Sequence, residues 1–272
     1  MEFSETLRWI DPISELAFLV MDLAVRGRAD LGTLLLNSWL EASGDGEGLR
    51  GWAWYSVYRA LVRAKVSWLR LKQSGLPTAE SSRIQTELAG YLRLAMDWVQ
   101  RQSQPLVLMH GLAGSGKSTV AVALSQQLGA VVFRSDVERK RLFGLWGVKP
   151  TRLLEGELYG QEASRHLYGT TLPALVEAAS AGGLAVIVDA CFLRRSERQL
   201  MVALAGKLGI PVQIVVCTAP EPLLRQRLLE RAAAGSDPSD ATVEVLQSQH
   251  QWIEPLEPDE KGLVMAVPGA AN

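Results

Sequence analysis

One short stretch constrains the fold of this chain more than any other. Residues 111–118 read Gly-Leu-Ala-Gly-Ser-Gly-Lys-Ser and match the pattern G-x-x-x-x-G-K-[ST] in full. The stretch lies between the apolar run 105–110 and a helical pattern that continues to about residue 128. A glycine-rich loop between a strand and a helix can turn its backbone N–H groups toward phosphate oxygens. The sequence therefore predicts a binding site for the phosphates of a nucleotide.

The residues of this loop have separate expected roles. Lys117 would reach the β- and γ-phosphates of ATP, and the Ser118 hydroxyl would coordinate Mg²⁺. The positive end of the helix that begins near Lys117 would favour the same anion. The predicted ATP-binding residues are Gly111, Leu112, Ala113, Gly114, Ser115, Gly116, Lys117, Ser118 and Thr119.

The residues after the loop alternate between strand and helix patterns. Apolar runs at 105–110, 131–134, 184–189 and 211–217, with a last short run at 263–267, are separated by helical segments. Such alternation is typical of a parallel sheet with helices on both faces. Ligands of these folds bind beyond the carboxyl ends of the strands, so further site residues are expected there.

Two aspartates follow predicted strands. Asp136 could accept a hydroxyl proton from an acceptor substrate, and Arg139, one helical turn on, could bind an anionic substrate or the transferred phosphoryl group. Asp189 ends the run 186–189, which has the form of a Walker B strand. Its carboxylate could hold Mg²⁺ with Ser118 or position the nucleophile. Spacing leaves open which aspartate is the base; we favour Asp136 for the substrate and Asp189 for the metal.

A structural interpretation stands beside each of these functional ones. Asp136 could simply cap a helix with a solvated basic face, and Asp189 could cap an apolar strand by chance. The pocket for the acceptor is expected near residues 136–144 and 159–168.

Arginines further along the chain are candidates for binding anions. Arg194 and Arg198 follow the third strand and could bind the substrate, although arginines at the start of a helix are common on surfaces. Arg227 and Arg231 share one face of a helix that precedes the polar loop 235–240. A lid of this kind could cover the nucleotide, with one arginine neutralising charge in the transition state and another stacking on adenine. A solvated basic helix is the alternative.

The first hundred residues have a different character. Between residues 11 and 101 every periodic segment is helical, and six of the eight tryptophans lie before residue 100. Core packing between helices is the expected role of these aromatic side chains. No set of converging catalytic groups stands out here. The sequence predicts a helical segment at 1–103 and a phosphate-binding unit at 104–272.

Charge and composition exclude several classes of function. The 28 Lys and Arg nearly balance the 29 Asp and Glu, giving a net charge of -1, so nucleic acid is not an expected main partner. No apolar stretch approaches the roughly 20 residues that a membrane span needs. The only cysteines, Cys191 and Cys217, cannot build a disulfide framework, and we expect a cytoplasmic protein with reduced thiols. The oligomeric state stays open.

Residues 105–262 resemble the P-loop kinase-like AAA-type ATPases related to gluconate kinase, chloramphenicol phosphotransferase and polynucleotide kinase. The resemblance rests on four stretches in order, at 106–119, 134–142, 186–198 and 219–240. It implies an α/β fold, a P-loop NTPase three-layer sandwich with a parallel five-stranded sheet and a lid, here preceded by an all-helical segment. It also implies transfer of the ATP γ-phosphate to a hydroxyl of a small molecule.

Residues 2–11 and 58–65 resemble the C-terminal helices of an aminoglycoside-phosphotransferase-like domain. In that family the catalytic His-Gly-Asp loop and the metal-binding Asp precede the segment equivalent to Glu2. The resemblance therefore implies a helical remnant without catalytic residues. We expect its tryptophan-rich surface to pack on the second unit or on another subunit.

An ATP-dependent small-molecule kinase is the function that these observations favour. A nucleotide-dependent regulatory ATPase, with the helical segment docking a partner, is a second interpretation. A polynucleotide 5′-kinase is a third, and the neutral net charge disfavours it.

Overall fold

A parallel sheet organises the second half of the chain. The computed structural model describes residues 9–146, 160–234, 239 and 241–266. Within them the strands are β1 (Leu106–His110), β2 (Val131–Arg134), β3 (Val186–Asp189) and β4 (Val212–Val216). All pairings are parallel, in the order β2-β3-β1-β4, as the alternating pattern predicts. The result is an α/β architecture with a parallel sheet.

The described sheet has four strands, not the five that the resemblance implies. The run predicted at 263–267 contributes one parallel bridge, between Ile214 and Val264, and Val267 lies outside the described residues. At this bridge the Ile214 N–H donates to the Leu263 carbonyl and the Met265 N–H donates to the Ile214 carbonyl. Pairing does not extend toward the start of the run because the Leu263 N–H donates to the Glu260 carbonyl, in the turn just before.

Helices surround the sheet and fill the first hundred residues. The first four are α1 (Pro12–Val25), α2 (Ala29–Ser43), α3 (Trp52–Leu71, preceded by the 3-10 helix Glu47–Gly51) and α4 (Thr78–Val99). The next four are α5 (Lys117–Leu128), α6 (Ser135–Leu142), α7 (Gln161–His166) and, after the π-helical turn Leu167–Thr171, α8 (Leu172–Ala181). The last four are α9 (Arg195–Leu208), α10 (Glu221–Ala234), α11 (Val243–Trp252) and α12 (Pro258–Lys261). None of these helices is long and apolar enough to cross a membrane.

The first helices and the sheet share one hydrophobic core. Ile13 and Trp52 belong to the same buried cluster as Leu106 of β1. The backbones approach so closely that a Cβ on Gly182 would lie 2.0 Å from the carbonyl oxygen of Leu49. The expected packing of the tryptophan-rich surface on the second unit is therefore found at Trp52, and the division near residue 103 remains a prediction.

Helix α2 also closes one edge of the sheet. Asn37 Nδ2 donates to the Ala130 carbonyl at 3.0 Å, and the Val132 N–H donates to Asn37 Oδ1 at 2.7 Å. A side-chain amide thus makes the two bonds that a further strand beside β2 would make. Arg141 Nη2 strengthens the contact by donating to the Leu40 carbonyl at 2.9 Å.

Candidate active site

A cleft of about 950 Å³ opens at the carboxyl ends of β1, β2 and β3. Its walls come from the phosphate loop, α6, α7, the start of α9 and the two lid helices α10 and α11. The structure brings most of the predicted site residues together here. Those on the wall are Ala113, Gly114, Gly116, Lys117, Ser118, Asp136, Arg139, Asp189, Arg194, Arg227 and Arg231. Gly111, Leu112, Ser115 and Thr119 belong to the same loop and the start of α5 but are not part of the wall.

The phosphate loop adopts backbone angles that glycine alone tolerates well. Gly111, Gly114 and Gly116 have φ values of 144°, 80° and 90°. A Cβ on Gly111 would lie 2.2 Å from the Cys217 carbonyl oxygen, and one on Gly114 would lie 2.9 Å from that of Leu224. The loop therefore fits closely between β4 and the lid. No side chain caps α5, so the N–H groups of its first turn can bind an anion.

The loop holds polar groups that a phosphate would satisfy. Lys117 is nearly buried, and its Nζ donates to the carbonyls of Gly111 at 3.0 Å and Leu112 at 2.8 Å. The buried Ser115 hydroxyl has no hydrogen-bond partner in the described part of the chain. Buried hydroxyls are normally bonded, so this one fits an oxygen-rich ligand in the loop.

Asp189 and Ser118 form the candidate magnesium site. Asp189 is 7% exposed at the end of β3, and the Ser118 hydroxyl donates to its carboxylate. Burial raises the pKa of Asp189, although the Ser118 hydrogen bond and the charges of Lys117 and Arg134 act in the opposite direction. A carboxylate and a hydroxyl are oxygen ligands that suit Mg²⁺, which takes further ligands from nucleotide phosphates and water. Within the described ranges, no group of three or more His, Cys, Asp or Glu side chains is placed to hold a metal ion.

Asp136 lines the same cleft, in the first turn of α6, and its charge also raises the pKa of Asp189. The residue preceding α6 is Arg134, so Asp136 is not its N-cap, and the capping interpretation of Asp136 is wrong. Arg139 of the same helix is buried, and its Nη1 donates to Ser164 Oγ at 3.0 Å. This bond joins α6 to α7 at the wall of the cleft.

The lid arginines differ in what they contact. Arg227 Nη1 donates to the Gly114 carbonyl at 3.1 Å, directly over the phosphate loop. Arg231 Nη2 donates to the Ala241 carbonyl at 3.1 Å, at the start of the second lid helix. Arg225 instead pairs with Glu221 at 2.7 Å on the exposed side of α10. Residues 235–238 and 240 of the predicted lid loop lie outside the described residues.

The two arginines predicted to bind substrate, Arg194 at the N-cap of α9 and Arg198 within that helix, have different surroundings. Arg194 is exposed on the cleft wall, and its guanidinium lies 5.6 Å from the ring centroid of Trp252. Arg198 corrects the expectation of a substrate ligand. It is fully buried outside the cleft, and its Nε donates to Glu260 Oε1 at 2.7 Å. All of its donors face protein acceptors, so it has none to offer a substrate.

Sequence reasoning missed several residues of the cleft, among them Gln249, Cys191 and Arg134. Gln249 of α11 accepts from the Ala113 N–H at 2.8 Å and approaches Cys191 Sγ at 3.6 Å. Burial raises the pKa of Cys191 and keeps its thiol neutral. Arg134 Nε lies 3.6 Å from Asp189 Oδ2. Arg134 could have been found as the last residue of its strand, whereas no local pattern marks Gln249.

A family model described as an AAA domain matches residues 106–256, which is more than half of the chain. The chain belongs to this AAA domain family. An uncharacterized protein of Mycobacterium tuberculosis and another of Mycobacterium bovis are each 32% identical to it over 247 residues. Each alignment covers 90% of this chain and 47% of the relative. The chain thus spans about half the length of the curated relatives it matches.

Several solved structures are similar to part of this AAA domain protein. An APS kinase of Mycobacterium tuberculosis, solved with AMPPNP and APS, is 23% identical, with a TM-score of 0.39 over 48% of this chain and 72% of that one. A gluconokinase from Sinorhizobium meliloti is 21% identical, with a TM-score of 0.41 over 61% of this chain and 83% of that one. A sugar kinase from Janibacter has 23% identity and a TM-score of 0.41 over 60% and 85%.

Proposed function

We propose that this protein is an ATP-dependent kinase that transfers the γ-phosphate of ATP to a hydroxyl of a small molecule. One observation carries the proposal. The phosphate loop, the Ser118–Asp189 pair and Asp136 line one cleft, and the charge of Asp136 is near enough to Asp189 to raise its pKa. A nucleotide with its metal and an acceptor hydroxyl could therefore meet between these groups.

The residues of the cleft have complementary roles in this proposal. Lys117 would exchange its carbonyl partners for the β- and γ-phosphates, and Ser118 and Asp189 would hold Mg²⁺, which neutralises phosphate charge when bound. Asp136 would accept the proton of the acceptor hydroxyl. The acceptor oxygen then bonds to the γ-phosphorus as the bond to the β–γ bridging oxygen breaks, and ADP leaves. Arg227 and Arg231 would neutralise charge on the transferred group.

The acceptor would occupy the part of the cleft between α7 and the start of α9. Ser164, Tyr168 and Glu197 line this part. Burial raises the pKa of the Tyr168 hydroxyl well above its usual value, so it stays a neutral hydrogen-bond donor. Hydroxyl, phenol and carboxylate groups suit a small polar molecule. The neutral net charge gives little support to a polynucleotide as the acceptor.

An acceptor screen tests the proposal. ADP release would be measured with MgATP against sugars, nucleosides, hydroxylated antibiotics and a 5′-hydroxyl oligonucleotide at several salt concentrations. A small-molecule acceptor should stimulate release, and Lys117→Ala should lower that rate by about 10²–10³-fold. Lys207→Ala, in the last turn of α9, is the matched control and should keep the wild-type rate.

Two results would contradict a small-molecule kinase. Tight MgATP binding with slow hydrolysis and no response to any acceptor would favour the regulatory ATPase. Stimulation by the oligonucleotide alone, weakened steeply by salt, would favour the polynucleotide kinase.

Finer features of the chain remain predictions. These are the boundary between 1–103 and 104–272, the likeness of the first helices to an aminoglycoside-phosphotransferase-like domain, and a cytoplasmic location. The all-helical character of α1–α4 supports the first two. Residues 2–8 of the resembling stretch lie outside the described residues.

A further inference from the structure

A fully buried ion pair lies behind the cleft. Arg198 of α9 is 0% exposed, and Glu260 of α12 is 2% exposed. Arg198 Nε and Nη2 donate to the two carboxylate oxygens of Glu260 at 2.7 Å and 2.9 Å. The Arg198 bonds lower the pKa of Glu260, so the carboxylate stays ionised. A buried pair with this bidentate geometry fixes the relative position of the two elements that carry it.

The same guanidinium holds the loop that follows the candidate magnesium ligand Asp189. Arg198 Nη1 donates to the carbonyls of Phe192 at 3.0 Å and Leu193 at 3.1 Å. Phe192 is buried with a φ of 44°, a left-handed conformation that an aromatic residue adopts only when its surroundings impose it. Its carbonyl also lies 3.0 Å from Nδ1 of His110, the residue just before the phosphate loop. Arg198 therefore helps to fix the loop between Asp189 and α9.

The guanidinium also holds the base of the second lid helix. Arg198 Nη1 and Nη2 donate to the carbonyls of Glu254 at 3.3 Å and Pro255 at 3.2 Å, just after α11 ends. From the same helix, Gln249 reaches the Ala113 N–H of the phosphate loop. One side chain thus connects the base of α11 to the loop after Asp189.

We propose that Arg198 and Glu260 form a positioning pair for nucleotide binding. By holding the loop after Asp189 and the base of α11 in one arrangement, the pair places Gln249 against the phosphate loop. The proposal rests on the proposed binding of nucleotide in this cleft and does not depend on which acceptor is used. Neither residue touches the nucleotide in this role.

A neighbouring ion pair provides a matched control. Arg195 and Asp259 join the same two helices, α9 and α12, with 3.1 Å between Nη2 and Oδ2. This pair is solvent-exposed, and its guanidinium makes no hydrogen bond to the carbonyls at 192, 193, 254 or 255 in the described structure. Replacing it removes a link between the helices without releasing either loop.

The decisive experiment replaces each pair by methionines in the full chain. Arg198→Met/Glu260→Met leaves no unpaired charge, and such apolar replacements of buried pairs often keep a protein folded. MgATP binding would be measured by calorimetry, and lid position by trypsin cleavage at the arginines of α10 with and without MgATP. We expect a folded protein with a lower melting temperature, because the carbonyls at 192, 193, 254 and 255 lose their donor. MgATP binding should be about 10–100-fold weaker, and the protection that MgATP gives should be lost. Arg195→Met/Asp259→Met should retain both.

Wild-type MgATP binding and protection in the folded Arg198→Met/Glu260→Met protein would overturn the proposal. If that protein does not fold, Arg198→Lys takes its place, because lysine keeps the charge beside Glu260 but lacks the planar fork that reaches the loop carbonyls. Wild-type binding by a folded Arg198→Lys protein would also overturn it. A wild-type protein that does not bind MgATP would overturn both this inference and the proposed function. If MgATP binding depends on the Arg198–Glu260 pair but no acceptor stimulates ADP release, the inference stands and only the proposed kinase activity is contradicted.

Discussion

The helical first part of the chain and the sheet that follows it differ in how much their sequences indicate about their roles. The sheet part contains the phosphate loop, whose residue types and spacing indicate its chemistry directly. The helical part contains no such pattern, yet Trp52 lies in the core beneath the sheet and Asn37 bonds its edge strand. Chemistry constrains residue identity at fixed spacing, whereas packing constrains only size and polarity. A segment without motifs can therefore be structurally inseparable from one that has them.

Removing a shared core residue is the strongest way to test this comparison. Trp52→Ala should lower the free energy of unfolding by about 3–5 kcal/mol, because it leaves a large cavity where the two parts meet. Trp54 is 64% exposed, so Trp54→Ala is the matched control and should cost less than about 1 kcal/mol. Urea unfolding would be followed by circular dichroism and by MgATP binding. Two separate unfolding transitions in the wild type would break the comparison.

Replacing the candidate metal ligand Asp189 should lower activity while raising stability at neutral pH. Asp189→Asn should lower MgATP-dependent turnover by about 10²–10³-fold. Burial raises the pKa of Asp189 above its ordinary value of 3.8, so the folded state binds this proton more readily than the unfolded state. The free energy of unfolding of the wild type therefore falls as pH rises through the raised pKa. Asparagine has no carboxyl proton to lose, so Asp189→Asn avoids this loss.

The measurement is urea unfolding of wild type and Asp189→Asn from acidic to neutral pH. The variant should be the more stable protein at neutral pH, and its advantage should vanish under acid conditions. Asp97→Asn, on the exposed face of α4, is the control and should change neither property. Equal or lower stability of Asp189→Asn at neutral pH would contradict the burial cost assigned to this carboxylate.

The contact between α2 and the edge of the sheet tests the same comparison with a smaller expected loss of stability. Asn37→Ala leaves the Ala130 carbonyl and the Val132 N–H without their partners and should cost about 1–3 kcal/mol of stability. Ser38→Ala, at the neighbouring exposed position, should have almost no effect. MgATP affinity should stay within about twofold in both variants, since neither touches the cleft. Loss of nucleotide binding without loss of stability would mean that α2 takes a direct part in the site.

Local patterns predicted most of the fold and the position of the phosphate loop. The strand runs lie within two residues of the observed strands. The loop was placed because strand, loop and helix are contiguous in sequence. The predicted fifth strand at 263–267 is found only as one bridge within the described residues, because the preceding turn takes up the N–H of Leu263.

The remaining site residues depend on contacts between distant positions. Arg194 and Arg198 begin the same helical stretch, and nothing local shows that one lines the cleft while the other pairs with Glu260, 62 residues away. Gln249 reaches Ala113 across 136 residues. Such pairings become visible only when the chain has folded, so the sequence neither singled out Gln249 nor assigned Arg198 its partner Glu260.

The sealed edges of the sheet bear on how the protein behaves at high concentration. Exposed strand edges are templates on which a second molecule can add a strand, and this is a common route to aggregation. Here Asn37 occupies the β2 edge, and the bridge at Val264 occupies part of the β4 edge. With strands of only four or five residues, these few bonds take up a large share of what each edge offers. Helix α2 and the segment around Val264 thus hinder strand addition between molecules, and with it aggregation.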